Sequence, residues 1–292
     1  MTKPNRWAFA ALLAGGCAIA LAPVFVRWSD TGPVASAFWR LALAIPLLWL
    51  WLAFSACTQV RTQGKPISHL NVALLAGLFF AADLGVWHWS INYTTVANAT
   101  LLTNFAPIFV TLGSWWLCRE RISAAFFLGM TVALGGAMLL VGPDFELGGT
   151  RLLGDGLGLL TAVFYAGYML SIKQARNKSS TAMLMAWSTT IGAAALLPVA
   201  LLSPQPFLPE GTHGWLVLLG LALVSQIVGQ GLITYAFAHL PATLSSVSLL
   251  IQPVVATLLG WTLFDETLGP SGVFGGVLVL TGIYLAKRSS NS

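Results

Sequence analysis

The sequence predicts an all-α integral membrane protein of ten transmembrane helices, built as two inverted repeats of five helices each. Three observations predict this class: the composition, ten apolar segments of spanning length, and an internal repeat. Of the 292 residues, 57% are hydrophobic and only 8% are charged, whereas soluble domains carry about 25% charged residues. Single aqueous cores rarely grow beyond about 250–300 residues, so the bilayer must solvate most of this chain.

Ten segments are long and apolar enough to cross a bilayer, which requires about 20 residues in a helix. The predicted spans are 7–26, 33–55, 70–91, 96–118, 123–141, 154–173, 181–202, 214–237, 242–264 and 270–287. Short turn sequences such as Gly142-Pro143-Asp144 separate them, leaving no room for a soluble domain. The first span also resembles a signal peptide, but nine apolar segments follow it, so an uncleaved helix is the simpler interpretation.

The distribution of basic residues predicts the orientation, because cytoplasmic loops carry the excess of Lys and Arg. With the N-terminus inside, eleven of the 14 basic residues lie in inner segments: Lys3, Arg6, Arg61, Lys65, Arg119, Arg121, Lys173, Arg176, Lys178, Lys287 and Arg288. The outer loops hold Arg27 and Arg151, and Arg40 lies within a span. We therefore expect a multi-pass protein of the cell (inner) membrane with both termini in the cytoplasm.

The expected partners follow from the same distribution. The formal charge of +5 comes from residues at helix ends rather than from one patch, so no nucleic-acid partner is expected. Cys17, Cys57 and Cys118 are scattered and lack metal-ligand spacing, which predicts free thiols. We expect no metal or other cofactor, with the lipid bilayer and a small-molecule substrate as partners. The sequence leaves a monomer and a homodimer equally open.

An internal repeat appears when the chain is aligned with itself at an offset of 146 residues. Pro107-Ile108-Phe109-Val110-Thr111 then matches Pro253-Val254-Val255-Ala256-Thr257, and the matches continue with Trp115 on Trp261, Glu120 on Glu266, Gly129 on Gly275 and Gly136 on Gly282. The predicted repeats are residues 1–145 and 146–292. Because each holds five spans, an odd number, the two must enter the membrane with opposite orientations. Inverted repeats recur in secondary transporters, whose solute site lies near the midplane.

The repeated motifs resemble a known family. Ala97-Asn98-Ala99-Thr100-Leu101-Leu102 through Pro107, followed by Trp116-Leu117-Cys118-Arg119-Glu120-Arg121, is similar to the EamA-type half of the drug/metabolite transporter superfamily. Pro241-Ala242-Thr243-Leu244-Ser245 through Pro253 fits the second copy, and Ala37-Phe38-Trp39-Arg40-Leu41 is similar to the arginine motif of the second helix. This resemblance implies a ten-helix transporter, in a family whose members are mostly metabolite exporters.

Charged residues within spans are candidates for function, because an intramembrane Arg costs at least about 2.5–3.5 kcal/mol. Arg40 and Asp83 lie at comparable depth, which suggests either a substrate-facing or gating pair or an ion pair that locks two helices. Asp83 and His88 are candidates for proton coupling. For His88, a place in the outer aromatic belt beside Trp87 and Trp89 is the alternative.

Uncharged polar residues at helical spacing predict a cavity, since such residues are unfavourable in lipid unless they face a partner or a cavity. The alternative is hydrogen bonding between helices. The predicted substrate-binding residues are Arg40, Trp39, Asp83, Trp87, Thr100, Asn104, Tyr165, Tyr168, Gln226, Gln230, Ser248 and Gln252. Pro107 and Pro253 lie at equivalent midspan positions and are predicted to be hinges or static kinks.

These features predict a secondary transporter, an exporter of small metabolites such as amino acids or amphipathic aromatic compounds, working by alternating access. A facilitative or uptake carrier for another solute is the alternative. An enzyme is not expected, because Asp83 is the one midspan carboxylate and no second catalytic group accompanies it. A channel is disfavoured because the spans lack rings of identical charges.

Overall fold

The computed structural model describes residues 5–58, 70–91, 93–94, 96–117, 119, 122–141, 152–176, 179–265 and 268–290. Within these residues the chain forms helices joined by short turns. The helices are α1 (Arg6–Ala20), α2 (Ala22–Trp28), α3 (Pro33–Ala42), α4 (Ile45–Thr58), α5 (Leu70–Ser90), α6 (Val96–Thr103), α7 (Ala106–Leu117), α8 (Ala124–Val141), α9 (Leu152–Arg176), α10 (Thr181–Leu202), α11 (Thr212–Gly220), α12 (Gly231–Ala236), α13 (Ala242–Ser248), α14 (Ile251–Phe264) and α15 (Pro270–Ser289). A π-helical segment, Leu221–Gln230, joins α11 to α12.

Seven helices in the described part of the chain are long and apolar enough to cross a membrane. They are Arg6–Trp28, Pro33–Ser55, Leu152–Arg176, Thr181–Leu202, Thr212–Ala236, Ala242–Phe264 and Pro270–Ser289. Two shorter apolar helices are Asn71–Trp87 and Ala124–Leu140, and the predicted span 96–118 corresponds to α6 and α7. The protein is therefore an all-helical, multi-pass membrane protein.

The outer surface of the bundle is apolar, as expected for a protein surrounded by lipid. Leu202 is 86% exposed, Trp7 81% and Trp116 73%. A soluble monomer rarely exposes large contiguous apolar patches, whereas in a bilayer these side chains contact acyl chains or the interface, where Trp is enriched.

Two helices of the bundle are interrupted at positions that correspond to within one residue at the offset of 146. α6 ends at Thr103 and α7 begins at Ala106, while α13 ends at Ser248 and α14 begins at Ile251. Pro107 and Pro253 follow these breaks, and neither has an N–H for the preceding turn. The amide of Asn104 donates to the carbonyl of Leu101 at 3.0 Å, and that of Leu250 donates to Val247 at 3.1 Å. The helices are thus interrupted beside both prolines, whereas the hinge role stays a prediction.

Three further irregularities were not predicted from the sequence. The first spanning helix breaks at Leu21, between α1 and α2. The second breaks between Ala42 and Ile45, where Pro46 has no N–H to donate to the preceding turn. The π-helical segment widens the eighth predicted span, and such segments occur frequently at functional sites.

Glycines permit the close packing of α8 against α15. A Cβ atom at Gly136 would lie 2.6 Å from the carbonyl oxygen of Gly275, and one at Gly275 would lie 2.7 Å from that of Gly136. A second reciprocal contact joins Gly129 and Gly282, at 2.9 and 2.5 Å. Any side chain would clash with backbone here, so small residues are required, as at many membrane helix interfaces. Because the lower-numbered glycine of one helix meets the higher-numbered one of the other, the helices run antiparallel.

Candidate functional site

A cavity of about 240 Å³ lies inside the bundle, where helices from both predicted repeats meet. Its wall combines one cation, one carboxylate, amides, hydroxyls, aromatic rings and aliphatic side chains. The lining residues are Ile19, Pro23, Arg40, Phe80, Asp83, Leu84, Trp87, Thr100, Thr103, Asn104, Ala106, Pro107, Tyr165, Met169, Gln230, Ser246, Leu249, Leu250 and Gln252. The volume and mixed lining suit a small organic molecule.

One face of α5 forms a continuous part of the wall. Phe80, Asp83, Leu84 and Trp87 follow the spacing i, i+3, i+4, i+7, which places them on the same side of an α-helix. Phe80 and Asp83 are 4% and 8% exposed. This face therefore presents a carboxylate between aromatic rings inside the bundle.

The interrupted helices supply much of the remaining wall. Thr100, Thr103, Asn104 and Pro107 surround the α6–α7 break. On the other side, Ser246, Leu249, Leu250 and Gln252 surround the α13–α14 break. Irregular backbone at membrane depth is tolerated only where protein or a cavity surrounds it. Both breaks therefore lie where the fold can accommodate them, next to the cavity.

Arg40 reaches the cavity from α3 and is held in place by α10 and the π-helical segment. Its Nε atom donates to Oε1 of Gln226 at 3.1 Å, and Nε2 of Gln226 donates to the hydroxyl of Thr189 at 3.0 Å. The guanidinium carbon lies 5.9 Å from the centre of the Phe80 ring, within the range of a cation–π contact. Gln226 and Thr189 are almost fully buried, so they fix one edge of the guanidinium.

Arg40 and Asp83 share the cavity without forming a direct ion pair. No nitrogen–oxygen contact of 4.0 Å or less joins them in the described part of the chain, where the Asp83 carboxylate also accepts no hydrogen bond. The alternative of a direct ion pair that locks two helices is therefore not what the geometry shows. Both charged groups instead line the same small space.

A second polar contact anchors the aromatic part of the wall. Nε2 of Gln230 donates to the hydroxyl of Tyr168 at 2.7 Å. The Tyr168 ring stacks on Phe80 with centroids 4.9 Å apart and lies parallel to Tyr165 at 6.4 Å. Tyr168 thus supports Phe80 and Gln230 from behind, while Tyr165 faces the cavity.

Eight of the twelve predicted substrate-binding residues line this cavity: Arg40, Asp83, Trp87, Thr100, Asn104, Tyr165, Gln230 and Gln252. Pro107 lines it as well, whereas Pro253 lies one residue beyond Gln252 in α14. Tyr168 and Gln226 lie directly behind the wall, each bonded to a residue that lines it. The side chain of His88 lies outside the described part of the structure.

The structure places Trp39 and Ser248 away from the cavity wall. Trp39 donates from Nε1 to the carbonyl of Phe207 at 2.8 Å and packs on Trp215, with centroids 4.9 Å apart. Ser248 donates to the carbonyl of Leu244 at 2.7 Å. Thr161 and Ser245, two further polar residues in apolar helices, likewise bond a carbonyl four residues back. For these residues the polar group is satisfied within its own helix, an outcome that neither sequence interpretation included.

Several cavity residues were not predicted, and most of them are apolar. Ile19, Pro23, Leu249 and Leu250 carry no polar signal that separates them from lipid-facing residues in the sequence. Helical spacing could have identified Phe80 and Thr103. Phe80 precedes Asp83 by three residues and Thr103 follows Thr100 by three, so each shares a helix face with a predicted residue.

Two larger grooves are lined mainly by apolar side chains. One, of about 750 Å³, is bordered by Trp115, Trp116 and Phe127 near the end of α7, and the other, of about 670 Å³, lies between α5 and α10. Trp115 and Trp116 are strongly exposed, so the first groove faces the surroundings of the bundle. Within the described residues, no three His, Cys, Asp or Glu side chains are grouped to hold a metal ion.

A comparison with family models identifies the chain's relatives. The model of the EamA-like transporter family matches residues 5–142 and again residues 152–288. The chain belongs to the EamA-like transporter family. The resemblance noted in the sequence is thereby confirmed.

Individual relatives of this EamA-like protein are also transporters by name. It is 29% identical over 262 residues to the pseudopaline exporter of Pseudomonas aeruginosa, a match that covers 89% of this chain and 88% of the relative. An uncharacterized transporter of Archaeoglobus fulgidus is 30% identical, with 84% and 87% covered. The riboflavin transporter of Vibrio cholerae is 26% identical, with 68% of this chain and 61% of that protein covered.

The fold of this EamA-like protein has a counterpart among solved structures. One crystal structure superposes with a TM-score of 0.79 and covers 97% of this chain and 96% of the other, at 18% sequence identity. Family membership and the named relatives indicate a membrane transporter rather than an enzyme.

Proposed function

We propose that the protein is a secondary transporter that moves a small amphipathic or aromatic metabolite, such as an amino acid, by alternating access. The single observation that carries this proposal is the cavity inside the bundle, lined by Arg40, Asp83 and aromatic side chains from both repeats. A buried cation and a buried carboxylate with no direct ion pair between them are costly in a membrane. A polar ligand that contacts both would offset part of that cost.

The alternating-access mechanism rests on the proposal that residues 1–145 and 146–292 are inverted repeats. The reciprocal contacts of Gly136 with Gly275 and of Gly129 with Gly282 support it. At the offset of 146, Gly129 corresponds to Gly275 and Gly136 to Gly282, so the two contacts exchange when the repeats are exchanged. Two antiparallel helices related in this way have a two-fold axis perpendicular to them. If the helices cross the bilayer, that axis lies in the membrane plane.

The ten-helix topology also belongs to this proposal. The matching helix breaks before Pro107 and Pro253 occur in corresponding helices of the two repeats. The family model matches the chain twice, once in each repeat. In an inverted pair, one packing arrangement opens inward and its counterpart opens outward, with the solute site between them. Pro107 and Pro253 would then be the points at which each repeat bends.

The direction of transport is proposed to be export. One relative is named as the exporter of pseudopaline, and the predicted topology puts the lining residues Trp87 and Thr100 toward the outside. Lys173 lies on the inner side in the same topology and donates from Nζ to the carbonyls of Phe237 and Leu240 at 3.1 and 2.7 Å. We propose that this contact closes the inner end. We propose the cell (inner) membrane as the location, with both termini in the cytoplasm.

Counterflow in proteoliposomes tests the function. Purified protein is reconstituted with one unlabelled solute inside and the same labelled solute outside, for a panel of amino acids, aromatic acids, aromatic amines and sugars. We expect saturable, transient accumulation of at least one amino acid or aromatic metabolite, and loss of accumulation for Arg40→Gln. A carrier that only facilitates diffusion shows counterflow but no response to an imposed proton gradient. Absence of counterflow for every solute, with folded protein, contradicts the proposal.

A further inference from the structure

We propose that Gln226 is a positioning residue that holds Arg40 through a neutral contact and leaves its Nη donors free to bind an anion, so that the cavity selects substrates carrying a carboxylate. This inference rests on the proposed transport function and names a chemical requirement for its substrate. It changes the role of Gln226, since the sequence predicted that residue to bind substrate directly.

The direction of the hydrogen bonds fixes how Gln226 lies. The Nε–H of Arg40 is only a donor, so Gln226 must present its amide oxygen to it, at 3.1 Å. The amide nitrogen then points away and donates to Thr189 at 3.0 Å. Arg40, Gln226 and Thr189 come from α3, the π-helical segment and α10, so this chain joins three elements. The orientation of the Arg40 guanidinium is therefore set by a neutral partner.

The rest of the Arg40 guanidinium faces the cavity. Arg40 is 9% exposed and lines the cavity. Neither of its Nη atoms has a hydrogen-bond partner in the part of the chain that the structure describes, and neither is among the fully enclosed polar atoms without one. Two parallel N–H donors on one planar group match the two oxygens of a carboxylate.

The proposed role of Gln226 depends on its side chain being uncharged. A glutamate at this position would place a carboxylate next to the Arg40 Nε and form an internal ion pair. Opposite charges at such a distance interact strongly away from water, so the charge of Arg40 would be compensated by the protein. With glutamine, no carboxylate of the described residues contacts the guanidinium directly, so the Nη donors are left for the ligand. Asp83, on the wall of the same cavity, then favours a cationic group elsewhere on the same molecule.

Three related probes separate the contributions of the two charges. 3-Phenylpropionate carries only a carboxylate, phenethylamine carries only an ammonium group, and phenylalanine carries both. Binding to purified protein is measured as thermal stabilisation over a concentration series. We expect wild type to bind phenylpropionate and phenylalanine at least about tenfold more tightly than phenethylamine, a difference within the range of charged hydrogen bonds. Equal binding of phenethylamine and phenylpropionate would overturn the inference.

Variants at position 226 separate positioning from general stability. Gln226→Glu is expected to reverse the order, so that phenethylamine binds more tightly than phenylpropionate. Gln226→Met keeps the length but lacks the amide, and is expected to weaken phenylpropionate binding several-fold with little effect on phenethylamine. Ser188→Ala is the matched control, because Ser188 precedes Thr189 but bonds the carbonyl of Leu184 within its own helix. It is expected to keep the wild-type order.

The outcomes distinguish this inference from the transport function itself. If wild type transports a solute but Gln226→Glu and Gln226→Met keep the wild-type ratio between the probes, the positioning role is wrong and transport stands. Transport by wild type of a solute without any anionic group, with no binding of the three probes, also overturns the inference. If wild type transports no solute, the proposed function fails as well. Gln226→Met keeps the test valid should the glutamate variant not fold.

Discussion

Arg119 and Asp265 are exactly one repeat apart, and both adopt a left-handed backbone conformation, with φ of 52° and 54°. Asp265 ends α14, and its backbone N–H bonds the carbonyl of Gly260. Positive φ is uncommon for residues other than glycine. Two such residues one proposed repeat apart are what we expect if the helix ends were duplicated together with the helices.

The side chains at these two positions carry opposite charges, as expected if the second repeat is inverted in the membrane. Arg119 carries a positive charge, whereas Asp265 carries a negative one. Basic residues favour the cytoplasmic side of a membrane, so an inverted copy loses them at the corresponding turn. The two positions share a left-handed backbone but carry opposite charges, which agrees with the proposed inverted repeat.

The contact of α8 with α15 predicts that alanine substitutions at two adjacent glycines, Gly135 and Gly136, change the stability of the protein very differently. Gly136→Ala would bring a methyl group within 2.6 Å of backbone atoms of α15, whereas a Cβ at Gly135 meets nothing within 4 Å. We expect Gly136→Ala to destabilise the protein by about 1–3 kcal/mol, as overpacking does. Gly135→Ala is expected to be neutral or slightly stabilising, because alanine favours the helix by up to about 1 kcal/mol. Thermal unfolding in detergent measures both, and equal melting temperatures would contradict the packing described.

Asp83 is predicted to couple transport to protons. Asp83→Asn removes the carboxylate from the cavity while keeping its size. We expect counterflow of a neutral or anionic solute to persist, and accumulation driven by an imposed pH gradient to disappear. The measurement compares the two assays in the same proteoliposome preparation.

Asp155→Asn serves as the control for Asp83. Asp155 is also buried, but it lies in the first turn of α9 and accepts hydrogen bonds from Thr94 and Asn98 at 2.8 and 3.4 Å. It does not line the cavity, and its variant is expected to keep pH-driven accumulation. Loss of coupling in both variants, or in neither, would exclude a specific role for Asp83.

The two tryptophans predicted to bind substrate are expected to behave differently. Trp87 lines the cavity, whereas Trp39 packs among Phe38, Phe207 and Trp215 away from it. Trp87→Ala should raise the apparent KM for transport several-fold because it removes part of the wall. Trp39→Phe should leave KM unchanged and lower stability by about 1 kcal/mol through the lost hydrogen bond. A larger KM effect at Trp39 than at Trp87 would show that the binding site lies elsewhere.

Lys173 is predicted to hold the inner end of the bundle closed. Its ammonium group bonds the carbonyls of two residues just after α12, and Lys173→Met removes both bonds. Because hydrogen bonds to charged groups contribute about 1.5–3 kcal/mol, we expect the inward-open population to rise roughly tenfold. The rate at which a cysteine at Ser246, in the cavity wall, reacts with maleimide from the inner side reports this population. Arg6→Gln, at the exposed start of α1, should leave that rate unchanged.

The helical architecture and most of the cavity could be predicted from the sequence because lipid imposes simple constraints. Charged and amide-bearing side chains in apolar helices must face protein or a cavity, so Arg40, Asp83, Asn104, Gln230 and Gln252 identified the wall by their chemistry alone. Pro107 and Pro253 identified two of the interrupted helices in the same way.

Other features depend on details that periodicity does not contain. Serine and threonine can bond their own helix, so Ser248 and Thr161 gave a polar signal without lining the cavity. The sequence could not distinguish Gln226 from Gln230. Both lie in the π-helical segment, and its geometry decides which of the two side chains faces the cavity. The apolar wall residues, such as Leu249 and Leu250, are indistinguishable in sequence from residues that face lipid.

The two repeats are proposed to cross the membrane in opposite directions around one shared cavity. Single cysteines at Arg119 and Asp265, in a background without Cys17, Cys57 and Cys118, test this orientation. A membrane-impermeant maleimide is then applied to intact cells and to inside-out vesicles. We expect the cysteine at 265 to react in intact cells and the one at 119 to react only in inside-out vesicles. Reaction of both from the same side would contradict the inverted repeat and the alternating-access mechanism built on it.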